Sequence, residues 1–325
     1  MKTALIVGAG EVGSRHLQAL AAVSEPLSIH VVEPSPKAQA TAQERFASFK
    51  QKAPHEILFR TDLSDLPKSL DVTIVATNAD VRKNVCVELL SKAKVRYLLL
   101  EKILFADPQD YEEVDRLLKA PDAPKTWVNC CMRQMPIFQQ IKDWMGFEKS
   151  FFVQASGSNY GLVTNAIHHL DFVAYLTGCQ NFTLQTELLD KNILASKRKG
   201  FLELSGTLTA QFEDGTQVVM QGFPTGELPV VVEVHTPNQR ILVREAERRA
   251  WISKRESKWV WTDIEAVRPF QSILTTEFVE SVLSKGTSVL TPFAESVRIH
   301  RQLLDPLHEW LQGQKHSNPF HYPFT

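Results

Sequence analysis

Through roughly the first 130 residues, short apolar runs alternate with amphipathic stretches, the pattern of repeated βα units. Runs at 3–7, 27–32, 57–59, 72–76, 95–100 and 127–131 have strand length and little polar interruption. Between them, 12–22, 36–49, 80–92 and 108–119 have helical spacing, with Val12, His16, Leu17 and Leu20 near one face of the first. Ser35 followed by Pro36 is a capping residue followed by a first-turn proline. Fully apolar short strands separated by helices predict a parallel sheet covered on both faces.

The pattern then changes. Longer, alternating runs are expected as strands at 151–158, 201–212, 217–222, 230–235, 240–243, 251–253 and 259–262. Asp214-Gly215 lies between two of them and is a hairpin signal. One helix, 165–176, interrupts this region and ends at Thr177-Gly178, and two more, 269–285 and 292–312, close the chain. A length of 325 residues fits two domains. The expected division is an α/β Rossmann domain over 1–122 and an α+β domain with an open, mainly antiparallel sheet over 123–325, the terminal helix packing back on the first. The sequence has no internal repeat and no low-complexity tract.

Composition narrows the function classes. Hydrophobic residues make up 43% and charged residues 22%, with a formal net charge of -1. Such a balance gives no electrostatic reason to expect nucleic acid or an anionic membrane. No apolar run approaches the ~20 residues of a bilayer span. The apolar opening, Met1 to Val7, is too short for a signal peptide and runs into glycines, so it reads as a strand. Cys86, Cys130, Cys131 and Cys179 form no Cys-x-x-Cys pair and no metal-like cluster. Cys130 and Cys131, as strand neighbours, are expected on opposite faces. Reduced, mostly buried thiols in a cytoplasmic protein are the simplest reading.

The most specific motif is Gly8-Ala9-Gly10-Glu11-Val12-Gly13, between a strand and a helix. The first glycine permits the tight turn, the second lets backbone approach a pyrophosphate, and the third lets helix and strand pack closely. The helix N-terminus then presents free N–H groups and partial positive charge. Glu33, 25 residues after Gly8 at the end of the second strand, is placed to accept hydrogen bonds from ribose hydroxyls. Its charge would repel a 2'-phosphate, which favours NAD over NADP; Lys37 softens that preference.

The sequence resembles the glucose–fructose oxidoreductase / inositol dehydrogenase (Gfo/Idh/MocA) family over most of its length. The resemblance is carried by GAGEVGSRH (8–16), DVTIVATN (71–78), Glu101-Lys102-Ile103, NAIHHLDFVAYLTG (165–178) and LTPFAESVRIHRQLLD (290–305). It implies a nucleotide domain joined to an open antiparallel sheet domain. It also implies a cofactor held by Gly8, Gly10, Glu11, Val12, Gly13, Glu33, Thr77, Asn78, Glu101 and Lys102. The implied chemistry is hydride transfer to or from a secondary alcohol or ketone of a sugar, inositol or sugar nucleotide.

Lys102 follows the apolar strand end Tyr97 to Leu100, where open α/β sheets place ligands. There it can steady a reacting oxygen, or it can be a solvated partner of Glu101. Ile103 stands where the family has proline. His168 and His169 are adjacent, so on a helix they point ~100° apart. In the family an acid precedes the catalytic histidine by one turn and another follows three residues later. His168 has Asp171 at the later spacing but Thr164 at the earlier one. His168 is therefore the expected proton carrier and Asn165 its substitute polar partner. Arg133, Tyr160 and His169 are weaker candidates for holding substrate. Lys197, Arg198 and Lys199 form a basic run that is a solvated loop by default and a phosphate site otherwise. Trp251, Trp259 and Trp261 are expected to pack the sheet or a subunit interface.

The expected protein is thus a cytoplasmic NAD(P)-dependent dehydrogenase, a homodimer or homotetramer, acting on a small sugar-like molecule. The alternative is a non-catalytic NAD(P)-binding sensor of the same fold. A third reading keeps catalysis but takes a tetrapyrrole or an imine.

Overall fold

The computed structural model describes residues 1–146, 148 and 151–325. They fall into two units, one of Met1–Asn129 with Pro269–Ala294, the other of Cys130–Arg268 with Glu295–Thr325. In the first, the apolar runs become β1 (Lys2–Val7), β2 (Leu27–Val32), β3 (Glu56–Arg60), β4 (Ser69–Val75), β5 (Lys94–Leu100) and β6 (Lys125–Val128). Between them lie α1 (Gly13–Leu20), α2 (Pro36–Ala47), α3 (Ala79–Lys92) and α4 (Pro108–Leu118). The strands run parallel in the order β6-β5-β4-β1-β2-β3. That order reverses between β1 and β4, where a doubly wound sheet opens a crevice at its carboxyl end. The last four residues of β1, β4 and β5 are buried, as strands covered on both faces require. Ser35 caps α2 through the Ala38 N–H, and Pro36 opens it.

The second unit contains α5 (Pro136–Met145), β7 (Phe152–Ser158), α6 (Leu162–Thr177), β8 (Phe182–Gln185), β9 (Leu194–Ala195), β10 (Leu202–Glu203), β11 (Gly206–Phe212) and β12 (Gln217–Phe223). It continues with β13 (Val231–His235), β14 (Gln239–Arg244), β15 (Arg249–Lys254) and β16 (Trp261–Glu265). Eight of these strands form one mainly antiparallel sheet, β16-β15-β14-β13-β7-β12-β11-β8. Alternate residues of β7, β11 and β12 are buried, so one face carries the core. Asp214-Gly215 makes the expected β11–β12 hairpin, with Gly215 at φ +91° and the Asp214 carboxylate accepting the Thr216 N–H at 2.9 Å. Helix α6 ends on Gly178 at φ +77°.

The chain then returns to the first unit. Helix α7 (Gln271–Lys285) contributes Phe278, Val279 and Val282 to the same core as Leu17, Leu20, Ile6 and Ile74. A short β17 (Thr291–Pro292) adds to β6 in the antiparallel sense. Helix α8 (Phe293–Gly313) closes the helical inventory of the described residues, with Pro306 inside it.

Several expectations shift. The units divide between Asn129 and Cys130 rather than near residue 122, because β6 pairs with β5 and completes the first sheet. The segment that rejoins the first unit is built on the penultimate helix, α7. The expected strand at 127–131 stops at Val128, and Cys131–Gln134 forms a 3₁₀ turn. Cys130 and Cys131 are therefore not strand neighbours. The run 201–212 breaks into β10 and β11 at Gly206, whose φ of +99° and close approach to Asp190 N and Leu188 O (2.6 Å from an added Cβ) exclude a side chain. The strand placed at 259–262 begins at Trp261, since Lys258 and Trp259 form a left-handed turn. Cys86 and Cys179 are free thiols; Cys86 and Cys130 are buried, and burial pushes the Cys86 thiol up to about 12.

Candidate functional site

The glycine turn forms where β1 runs out beside β4. Gly8 takes φ +84°, and its N–H donates to the Val32 carbonyl at 2.8 Å. A Cβ on Gly13 would lie 1.8 Å from the Gly8 carbonyl oxygen, so α1 packs against the turn as only glycine allows. A Cβ on Gly10 would meet nothing within 4 Å. That open space is where backbone can approach a ligand. Val12 takes helical angles just before α1, while Glu11 points outward and pairs with Arg45 at 2.8 Å.

A cavity of about 470 Å³ opens beside this turn. Gly8, Gly10, Glu33, Thr77, Asn78 and Val81 line it, with Asp62 and Glu88. The buried Glu33 carboxylate accepts the Ala9 N–H at 2.8 Å and the Ser35 N–H at 2.9 Å. A carboxylate has about four acceptor directions, so these two bonds fix its aim and leave capacity for hydroxyl donors. The Thr77 hydroxyl is buried and has no hydrogen-bond partner among the described residues. An open turn, an aimed carboxylate and an orphaned hydroxyl on the carboxyl end of the sheet fit a dinucleotide.

Lys102 is half-buried at the end of β5. Its neighbour Glu101 turns into the unit: the carboxylate hydrogen-bonds His16 Nε2 at 2.8 Å and accepts from Asn129 Nδ2 at 2.5 Å. Burial pushes this carboxyl up, but His16, Asn129 and Lys102 together hold it below the usual range. His16 Nδ1 lies 2.7 Å from the Thr275 hydroxyl, and Asn129 also donates to Gln271 on α7. Glu101, expected at the cofactor, is thus the hub of a buried network joining α1, β5 and α7.

Arg82, fully buried on α3, was not anticipated. It donates to the carbonyls of Thr77, Ile103 and Leu104, the last at 2.7 Å. One guanidinium therefore ties the turn after β4 to the turn carrying Lys102, where Ile103 stands in place of a proline. The regular helical spacing around Arg82 concealed it, because nothing in 79–92 marks a buried cation.

In the second unit, α6 is almost entirely a core helix. His169 is buried, and burial pushes its imidazole down to about 4, so it stays neutral near pH 7. His169 therefore packs rather than lining an open pocket, whereas His168 is half-buried. Asp171, three residues on from His168, is drawn to an arginine. It is fully buried and bidentate to Arg133, at 2.7 Å and 2.8 Å. Arg133 also pairs with Glu295 on α8 and lies over the Tyr175 ring at 5.2 Å. Burial opposes the Arg133 charge, but the two carboxylates outweigh it and raise its pKa. Expected as a substrate residue, Arg133 is an internal ion-pair centre.

Asn165 donates its amide to the carbonyls of Tyr160 and of Gly161, the latter at 3.0 Å, and so holds the loop that enters α6. Tyr160 lines a cavity of about 420 Å³ together with Thr164, Lys197, Arg198 and Glu203. The basic run is thus partly drawn to a pocket. Sequence spacing gave no hint of Glu203, which arrives from β10.

Among the described residues no helix is long and apolar enough to cross a membrane, and no group of three or more His, Cys, Asp or Glu could hold a metal ion. Residues 2–128 match the model of the Gfo/Idh/MocA oxidoreductase family, NAD-binding Rossmann fold. No curated protein matches significantly. Among solved structures, a UDP-N-acetylglucosamine 3-dehydrogenase from Acidithiobacillus ferrooxidans is similar at 13% identity and a TM-score of 0.70, covering 94% of this chain and 96% of that one. An oxidoreductase from Agrobacterium radiobacter, in complex with NAD+, L-tartaric acid and magnesium, is similar at 16% identity and a TM-score of 0.69, covering 93% and 94%. A super-repressor mutant of Gal80p from Saccharomyces cerevisiae is similar at 14% identity and a TM-score of 0.68, covering 96% and 97%. At such identities these likenesses speak for the fold.

Proposed function

We propose that this chain, whose residues 2–128 match the Gfo/Idh/MocA oxidoreductase family model, is a dehydrogenase or reductase acting on a secondary alcohol or ketone of a sugar, inositol or sugar nucleotide. The observation that carries this reading is the cleft at the β1/β4 switch point, where Gly10 leaves room and Glu33 is aimed by two backbone N–H groups. A nicotinamide cofactor bound there supplies the hydride acceptor or donor. The lining carboxylates Glu33, Asp62 and Glu88 disfavour an additional 2'-phosphate, which supports NAD over NADP.

Lys102 donates a hydrogen bond to the reacting oxygen and steadies its developing charge. His168 carries the hydroxyl proton, the task suited to an imidazole near neutral pH. Asn165 keeps the loop before α6 in place. Tyr160 lines the substrate pocket. A cytoplasmic homo-oligomer is proposed on the family resemblance.

The test is the full chain with NAD+ or NADP+ and a panel of sugars, inositols and UDP-sugars, followed at 340 nm. Turnover is expected on at least one, falling by about 100-fold or more in Lys102→Met and His168→Ala. NADH binding should survive in His168→Ala. Tight NADH binding with no turnover across the panel, and no loss of function in Lys102→Met, would overturn the enzyme reading in favour of a cofactor-binding sensor.

A further inference from the structure

Glu203 is a buried acid that the chemistry above leaves unused. It lies on β10, 40 residues from Val163 in sequence, yet its carboxylate sits over the first turn of α6. Oε1 accepts the N–H groups of Val163 at 2.7 Å and Leu204 at 3.0 Å. Oε2 accepts the Thr164 hydroxyl at 2.8 Å and the Thr164 N–H at 3.3 Å. The same carboxylate lines the cavity with Tyr160 and Lys197, and the Tyr160 hydroxyl is buried without a hydrogen-bond partner among the described residues.

Thr164 and His168 are four residues apart on α6, so their side chains are neighbours on one face, about 6 Å apart at Cβ. The start of a helix carries partial positive charge, which disfavours a protonated imidazole nearby. A carboxylate over that turn cancels this field. We propose that Glu203 is a positioning residue for His168: hydrogen-bonded to Thr164, it provides the negative charge that supports the protonated imidazole. The coupling is reciprocal. A proton arriving on His168 favours ionised Glu203, and ionised Glu203 favours protonated His168. This rests on His168 being the proton carrier.

The charged and titratable groups around the pair come from six segments of the chain. They are Tyr160 in the loop before α6, Lys197 and Arg198 between β9 and β10, Glu203 itself, and the Arg133–Asp171–Glu295 cluster further along α6. Burial pushes the Glu203 carboxyl up against its four donors, and burial together with Glu203 pushes the Tyr160 hydroxyl up.

The test is an NMR titration of His168 in the full chain, with the resonance assigned by His168→Gln. Glu203→Gln keeps an amide oxygen to accept the Val163 N–H at the helix start, and loses the charge together with the long bond from the Thr164 N–H. Its His168 midpoint should fall by about 0.5 pH unit, the size of one charge ~9 Å away in a partly solvated site. Thr164→Val should move it in the same direction by less, and the exposed control Glu187→Gln should not move it. A midpoint in folded Glu203→Gln within about 0.1 unit of the wild type would overturn the proposal. If Glu203→Gln fails to fold, the wild-type protein decides. A coupled inflection shared by the His168 resonance and the Glu203 carboxyl carbon supports the proposal, and independent curves overturn it. Neither result depends on finding a substrate, so a failed sugar panel and a failed titration are distinct.

Discussion

The turn at Gly8–Gly13 and the helix α6 make polar sites by opposite means. The turn is mostly backbone: three glycines, a free helix start and one carboxylate aimed by two N–H groups. Its parts lie close together along the chain. Helix α6 is ringed by side chains from distant segments: Arg133 from the turn after β6, Glu295 from α8 and Glu203 from β10. A backbone site tolerates changes in everything except the space it occupies. A site made of paired buried charges tolerates changes of shape better than the loss of one partner.

Substitutions can break that comparison, beginning with the largest expected cost in stability. Asp171→Ala leaves the buried Arg133 with Glu295 alone, and removing one partner of a buried pair costs about 3 kcal/mol or more. Urea unfolding at pH 7 measures it, and a cost under about 1 kcal/mol would show that the pair is dispensable. Gly13→Ala forces the Gly8 carbonyl aside and should cost about 2–3 kcal/mol, with loss of NADH binding by fluorescence titration. The effect of pH comes next. His169 is held neutral, so unfolding takes up a proton below the free imidazole value near 6.5. Stability is complete above that value and is lost as pH falls toward about 4. The wild type should lose about 1 kcal/mol per pH unit between pH 6 and 5, and His169→Gln should flatten that slope. Glu101 follows the same sign at lower pH. Its contribution is present above the free carboxyl value of about 4.3 and fades as pH falls through its lower folded value, a slope that Glu101→Gln should remove. Gly10→Ala should change stability least, by about 0.5 kcal/mol, while weakening NADH binding about tenfold or more, because its Cβ enters only the cleft. Equal stability costs for Gly10→Ala and Gly13→Ala would contradict the division of labour within the turn.

The same contrast explains what could be read from residues alone. The Rossmann half was legible because each of its signals is contiguous: apolar strand, glycines, helix, acid. The hairpin at Asp214-Gly215 and the helix stop at Gly178 were legible for the same reason, since the turn chemistry is local. The second unit's site was not. His168 and Asp171 share a helix at a readable spacing, but the carboxylate's bidentate partner is an arginine 38 positions away. Glu101 next to Lys102 suggested a local pair or a cofactor contact, whereas its partners come from α1 and from the residue just after β6. The helix α5 went unread because its start, at Met135-Pro136, has no side-chain cap.

The late return of Pro269–Ala294 has a consequence for synthesis. Thr275 and Gln271 complete the hydrogen bonds of His16 and Asn129, and Phe278, Val279 and Val282 fill the core beneath α1. During translation the nucleotide-binding half must therefore wait, with an unfinished interior, while all of Cys130–Arg268 emerges from the ribosome. A pause or cleavage before residue 269 would leave the apolar surface beneath α1 uncovered, and an excised fragment ending at Asn129 would lack part of its own core.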